Sequence, residues 1–211
     1  MKVIAINGSP NKKGNTHQTL EIIGTELRQP GVDFEIIHIG HKLIHGCIAC
    51  GQCYKNRDEK CSITKDPVNE VVQQMKSADG IILGAPVYFS GIPGTMKSFL
   101  DRAFYVAAVN GGLFRHKVGA ALVTLRRTGG SSTFDQLNHF LTYSEMILAT
   151  SNYWNIIHGR LPGEILQDAE GIKIMETLGK KMAWLLKMRE QTKDSLPTPE
   201  QGQRVLTNFI R

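Results

Sequence analysis

With 211 residues, 41% of them apolar and 21% charged, the chain can bury a core of its own and reads as one large α/β domain, not as a disordered or fibrous protein. Its longest apolar stretch, VGAALVTL from Val118, is far shorter than the roughly 20 residues that cross a bilayer, and MKVIAINGSP turns polar too soon for a secretory signal. A membrane partner is therefore excluded and a cytoplasmic location expected; the net charge of +6 is spread over scattered Lys and Arg, which argues against a nucleic-acid partner.

KVIAIN, from Lys2, is a β-rich run, and a polar loop carries it into the helical segment NTHQTLEIIGTELRQPG. Asn15 or Thr16 is the expected cap, Leu20, Ile23 and Leu27 repeat at helical spacing, and Pro30 with Gly31 stops the helix. DFEIIHI from Asp33 is a second strand. A cysteine-rich segment follows, then a helix around DPVNEVVQQMKSA with Asp66 at its start and Pro67 in its first turn. GIILGAP is the third strand, TMKSFLDRAFYV a helix, KVGAALVTL the fourth strand, and RRTGGSST opens the next helix. A fifth strand is expected within ATSNYWNIIH, and a last helix through EGIKIMETLGKKMAWLLKMR.

Strands alternating with helices imply a parallel sheet covered on both faces, and the nearly all-apolar IILGA and GAALVTL suit strands buried on both sides. Residues 1–189 form the expected domain, with a cysteine-rich insertion at 45–65. Residues 190–211 read as a polar linker with Pro197 and Pro199, closed by RVLTNFIR, which is apolar enough to dock on a neighbouring subunit.

NGSPNKKGNT, from Asn7 to Thr16, lies between the first strand and first helix, where backbone N–H groups and the positive helix end favour an anion. Five residues separate Gly8 from Gly14, and Asn15 stands where a Walker A loop requires Lys, so this is no ATP loop; nor does it match G-x-G-x-x-G. Ser9, Asn11, Asn15 and Thr16 are the side chains suited to donate to a phosphate, the plainer alternative being an ordinary βα loop with a good cap. Ligands of open α/β sheets bind beyond the carboxyl ends of the strands where strand order reverses, here between strands one and three of an order 2-1-3-4-5. The segment after strand three supplies Pro86, Val87, Tyr88, Phe89, Ser90 and Gly91, with Tyr88 and Phe89 placed to bracket a flat ring. The segment after strand four supplies Arg126 or Arg127 to steady an electron-rich ring, and Thr128, Gly129 and Gly130 for close backbone approach.

On these residues the chain resembles the NAD(P)H-dependent FMN reductase superfamily of flavodoxin-like proteins. GSPNKKGNT is similar to its phosphate loop, and PVYFSGIPGTMKSFLDR to its isoalloxazine loop and following helix. The likeness covers about residues 1 to 188 and is most specific at Pro86, Tyr88, Gly94, Lys97, Asp101 and Arg102. It implies a flavodoxin-like open five-stranded parallel sheet, FMN as cofactor, and an oxidoreductase that needs no catalytic base. Lys97, Asp101 and Arg102 are expected to pair and to position the helix without touching flavin.

All four cysteines fall in CIACGQCYKNRDEKC, as C-x2-C-x2-C-x7-C from Cys47 through Cys50 and Cys53 to Cys61. In a reducing compartment such a cluster points to metal or redox chemistry. Zinc, a Cys47–Cys50 disulfide and metal-free thiols all remain open from spacing alone. The motif is similar to that of iron-sulfur flavoproteins, a resemblance that implies one 4Fe-4S cluster on these four thiols beside FMN. It further implies an electron donor such as ferredoxin or NAD(P)H, and a homodimer or homotetramer that brings cofactors of different subunits together. The cluster-free alternative is an NAD(P)H-dependent FMN or quinone reductase. His41 and His45 are expected to be solvated or outside the ligand set, and Tyr153 and Trp154 to be core or interface, or to shield a cofactor.

Overall fold

The apolar runs become the strands of a single parallel sheet in the computed structural model, which describes residues 1–202 together with Val205, Thr207 and Phe209. The strands are β1 (Lys2–Asn7), β2 (Asp33–His38), β3 (Gly80–Pro86), β4 (Val118–Leu125), β5 (Ile147–Leu148) and β6 (Ile156–His158). Their order is β2-β1-β3-β4-β5, with β6 also paired to β4. The helices are α1 (Asn15–Arg28), α2 (Gln52–Asn56), α3 (Val68–Ser77), α4 (Gly94–Val109), α5 (Gly130–Tyr143) and α6 (Ala169–Thr192).

Successive side chains of a strand point to opposite faces, and the two cores follow that period. Ile4, Ile6, Ile81 and Leu83 face α3, α4 and α5 with Val72, Phe99, Leu100 and Leu137. Val3, Ala5 and Ile82 face α1 and α6 with Leu20, Ile23, Met175 and Leu178. Each of these fully buried side chains larger than alanine contributes about 1.5–3 kcal/mol of transfer free energy, so the sheet is held from both sides.

The fifth strand position is split: β6 falls within the expected 149–158, and a further short strand, β5, precedes that segment. β5 pairs with the start of β4 (Val118↔Ile147) and β6 with its end (Val123↔Ile156). Between them the chain leaves the ladder: the Asn155 side-chain amide donates to Ala121 O at 2.9 Å, and Ser151 Oγ donates to Asn155 Oδ1 at 2.7 Å. A side chain thus satisfies the carbonyl that a continuous strand would have paired.

Two helix ends also differ. The α1 cap is Gly14, so Asn15 and Thr16 lie in the first turn; α6 continues beyond Arg189 to Thr192. Within the closing RVLTNFIR, Arg204, Leu206, Asn208, Ile210 and Arg211 lie outside the described residues, while Val205 and Phe209 are exposed. Among the described residues no helix is long and apolar enough to cross a membrane.

Candidate functional site

The loop after β1 is folded by its own side chains. Ser9 N donates to Asn7 Oδ1 at 3.0 Å and Asn11 N to Ser9 Oγ at 3.2 Å, two local turns that redirect the chain into α1. Gly8 N donates to Gly84 O on β3, while Ile39 N and Gly40 N both donate to Asn7 O. The segment leaving β2 therefore runs against the loop, so closely that a Cβ on Gly40 would stand 2.1 Å from Ser9 O. His38 Nε2 donates to Ser9 O at 2.7 Å, its ring stacks on His41 at 4.3 Å between centroids, and its Nδ1 is buried without a partner. Burial, ahead of the neighbouring His41, Lys12 and His17 charges, pushes the His38 imidazole below its ordinary value.

This loop opens on a cleft of about 220 Å³ at the carboxyl ends of β1, β3 and β4. Ser9, Asn11, Asn15, Thr16, Pro86, Val87, Tyr88 and Arg126 line it. Phe89, Ser90, Gly91, Thr128, Gly129 and Gly130 stand outside its lining. The first turn of α1 faces the cleft with backbone N–H groups that have no partner within the helix. Thr16 Oγ1 and Thr124 Oγ1 lie 2.7 Å apart, joining that turn to β4. The Asn15 side chain is engaged elsewhere: Nδ2 donates to Leu161 O and Oδ1 accepts from Gly163 N.

Residues 86–92 make a tight hairpin. Tyr88 and Gly91 exchange both backbone hydrogen bonds, with Phe89 and Ser90 in the left-handed region at φ 49° and 59°. The start of α5 grips it: Ser132 Oγ donates to Ser90 O at 2.8 Å and Ile92 N to Gln136 Oε1 at 3.2 Å. Gly129, at φ 83°, sits where a Cβ would come within 2.8 Å of Ser90 Cα, so this position demands glycine on two counts. Tyr88 is half exposed and Phe89 fully exposed.

The remaining wall comes from residues that sequence reasoning missed: Thr124 and Leu125 at the end of β4, and Gly159, Arg160 and Pro162 after β6. The Glu164 carboxylate accepts from Arg160 N at 2.6 Å and Leu161 N at 2.9 Å, setting the turn at which Arg160 lines the cleft beside the first turn of α1. A charged residue just past the last strand was the signal. Its value depended on knowing that β6 pairs with the end of β4. Tyr153 and Trp154 are exposed and pack on each other, centroids 5.0 Å apart.

The four cysteines converge on a second cleft, of about 350 Å³, lined by Cys47, Cys50, Cys53 and Cys61 with Asp101 and Tyr105 of α4. Left-handed residues Ala49 (φ 52°) and Gly51 (φ 69°) wrap the first three thiols, and Arg57 (φ 53°) ends the short α2 so that the chain returns to Cys61. Asn69 brackets Cys61, accepting from its N–H at 2.7 Å and donating to its carbonyl at 2.9 Å. Cys53 is buried in the core beside Ile39 and Val68, which raises its thiol pKa, while the Ser62 hydroxyl 3.2 Å from Cys50 Sγ lowers that of Cys50. Cys47 and Cys50 are exposed, and all four are free thiols. Among the described residues no three or more His, Cys, Asp or Glu side chains are gathered closely enough to hold a single metal ion.

The cysteine cleft abuts α4, and the same helix packs against the start of the loop after β1. Met96 packs where a Cβ on Gly8 would lie, Ser98 faces Gly46 just before the cysteines, and Lys97 pairs with Asp101 at 2.6 Å on the exposed side. Arg102 does more than the expected helix positioning. It is buried, and reaches Cys61 Sγ, His45 O, Ile63 O and the Asp66 carboxylate. His45 itself is exposed, with Nδ1 against Gly46 O, outside the cysteine cleft.

Residues 1–160 match the family model described as NADPH-dependent FMN reductase. The chain is 36% identical over 195 residues to an iron-sulfur flavoprotein of Methanocaldococcus jannaschii, covering 89% of this chain and 98% of that protein. It is 34% identical over 174 residues to an iron-sulfur flavoprotein of Archaeoglobus fulgidus, covering 81% and 83%. Among solved structures, an NAD(P)H:quinone oxidoreductase from Methanothermobacter marburgensis superposes with a TM-score of 0.64 at 16% identity, covering 85% of this chain and 94% of that one, which is a likeness of fold.

Proposed function

From the premise that the chain belongs to the NADPH-dependent FMN reductase family, in its iron-sulfur flavoprotein branch, and is a flavin-dependent oxidoreductase, we propose that it is an electron-transfer flavoprotein in which a 4Fe-4S cluster on Cys47, Cys50, Cys53 and Cys61 exchanges electrons with FMN. When bound, FMN supplies one- and two-electron redox chemistry, and the protein supplies position and electrostatics. The residues present fit it. The first turn of α1 and the Ser9 hydroxyl lie where a phosphate is held, and Arg126 and Arg160 line the same cleft with positive charge. Tyr88, beside Pro86 and Val87, offers an aromatic face at the cleft mouth, on a hairpin that α5 holds in place.

The observation that carries the cluster reading is the placing of all four cysteines of the chain around one cleft, with the Arg102 guanidinium donating to one sulfur and the Ser62 hydroxyl within hydrogen-bond distance of another. Electron transfer between neighbouring subunits, in a homodimer or homotetramer, and supply by ferredoxin or NAD(P)H, belong to the same reading. The test is iron and acid-labile sulfide analysis of anaerobically purified protein. About four irons per chain support the cluster; flavin without iron, after reconstitution as well, sinks it.

A second reading, a cluster-free NAD(P)H-dependent FMN or quinone reductase, is favoured by the family model, which spans the flavin cleft and names no iron. It requires that replacing Cys47 or Cys61 by Ser leave NAD(P)H oxidation unchanged.

A further inference from the structure

The cysteine segment carries a cation that the flavin chemistry does not use. Arg102 is 1% exposed, deep in α4, and its guanidinium is spent entirely on residues 45–66. It donates to His45 O at 3.1 Å, before the first cysteine, and to Ile63 O at 2.8 Å, after the last. The same group pairs with the Asp66 carboxylate at the entry to α3, and its Nε donates to Cys61 Sγ at 3.2 Å. A planar fork that engages both ends of a loop closes it more effectively than any single hydrogen bond, and lysine, with one ammonium, cannot do so.

We propose that Arg102 is a positioning residue of the cysteine site: it closes the 45–66 loop before any cluster is present, and through Nε it makes a cluster held by Cys61 easier to reduce. The second half rests on the cluster reading given above. Reduction adds negative charge at the ligand sulfurs, and a donor aimed at one of them, on a group that stays cationic, stabilises that charge. Asp66 balances the buried guanidinium without contacting a sulfur in the cleft lining, so the positive end faces Cys61 and the negative end lies behind it. Ser62 and Asn69 act only on Cys50 Sγ and on the Cys61 backbone, which leaves Arg102 as the donor on Cys61 Sγ.

Arg102→Lys keeps the charge and loses the fork. The double variant Arg102→Gln with Asp66→Asn removes both charges, so that no carboxylate is left buried alone and the fold is preserved. Two measurements decide the matter. In the cluster-free chain, chymotryptic cutting within residues 45–66, at Tyr54 above all, is expected to quicken at least tenfold in both variants; unchanged cutting overturns the clamp. In the iron-loaded protein, the cluster midpoint potential from a spectroscopic redox titration is expected to fall in the double variant by about a tenfold change in the reduction equilibrium, about 59 mV for one electron, with Arg102→Lys in between. A potential equal to wild type in both variants overturns the tuning role, which a merely structural contact would leave untouched. Wild-type protein that takes up no iron overturns the tuning role and the cluster reading together, while the cutting rates still judge the clamp.

Discussion

The hydroxyls of Thr16 and Thr124 meet at 2.7 Å in the wall of the cleft proposed for flavin, joining the first turn of α1 to the far end of β4 across 108 residues of sequence. A single hydrogen bond links the two largely buried hydroxyls, so the first turn of the helix is fixed to β4 near the centre of the sheet and not merely to its own strand. Removing one partner leaves the other buried and unsatisfied, at a cost of roughly 1–3 kcal/mol. Thr124→Val is therefore expected to weaken FMN binding about tenfold, measured by quenching of flavin fluorescence in a titration. Unchanged affinity shows that this pair does not hold the phosphate end.

Gly40 meets the phosphate loop backbone to backbone. A methyl there would lie 2.1 Å from Ser9 O, and neither neighbour is a flexible side chain that can step aside. Overpacking of this kind costs about 1–3 kcal/mol, so Gly40→Ala should lower the thermal midpoint and loosen FMN together. Gly94→Ala, where a Cβ meets nothing within 4 Å, serves as the control in the same calorimetric series and should leave the midpoint close to wild type.

The cysteine and flavin clefts share no lining residue. Cys61→Ser is accordingly expected to abolish iron retention while FMN stoichiometry stays at wild-type level, read from metal analysis and from flavin released on denaturation. Loss of both cofactors from a folded variant would mean that the two sites are not separable.

His38 titrates below its ordinary value of 6.5 because it is buried, with Nε2–H committed to Ser9 O and Nδ1 facing no donor or acceptor. The unfolded chain thus takes up this proton first as pH falls. The stability that neutral His38 contributes is complete above pH 6.5 and drains away as pH drops through that value toward the lower folded one. His38→Gln, whose amide can still donate to Ser9 O, should flatten the fall in denaturation midpoint between about pH 7.5 and 5.5; a midpoint equally steep in the variant places the titrating group elsewhere.

Much of this arrangement is legible in the chain itself, for physical reasons that differ by element. β3 and β4 stand out because a strand buried on both faces must be apolar throughout, as Ile81 to Ala85 and Val118 to Val123 are. A strand within 149–158 is readable and appears as β6, but the split of the fifth strand position is not, because it depends on Asn155 filling the gap at Ala121, a pairing 34 residues away that no local pattern reports. The loop after β1 shows itself through Gly, Ser and Asn. Thr124 and Arg160 are invisible until the sheet order brings three strand ends together. Arg102 was the hardest: within α4 it looks like a partner for its own helix, and only the fold sets its guanidinium under a sulfur 41 residues upstream.

Met96 against Gly8 and Arg102 against Cys61 sit six positions apart on one unbroken helix, about 9 Å along its axis. A rod of that kind works as a fixed gauge between the two halves of the molecule. Adding one residue between those positions would swing one half about 100° around the other. Drift in this stretch is thus confined to swaps of side chain, or to steps of a whole turn, each of which would lengthen the gauge by about 5.4 Å.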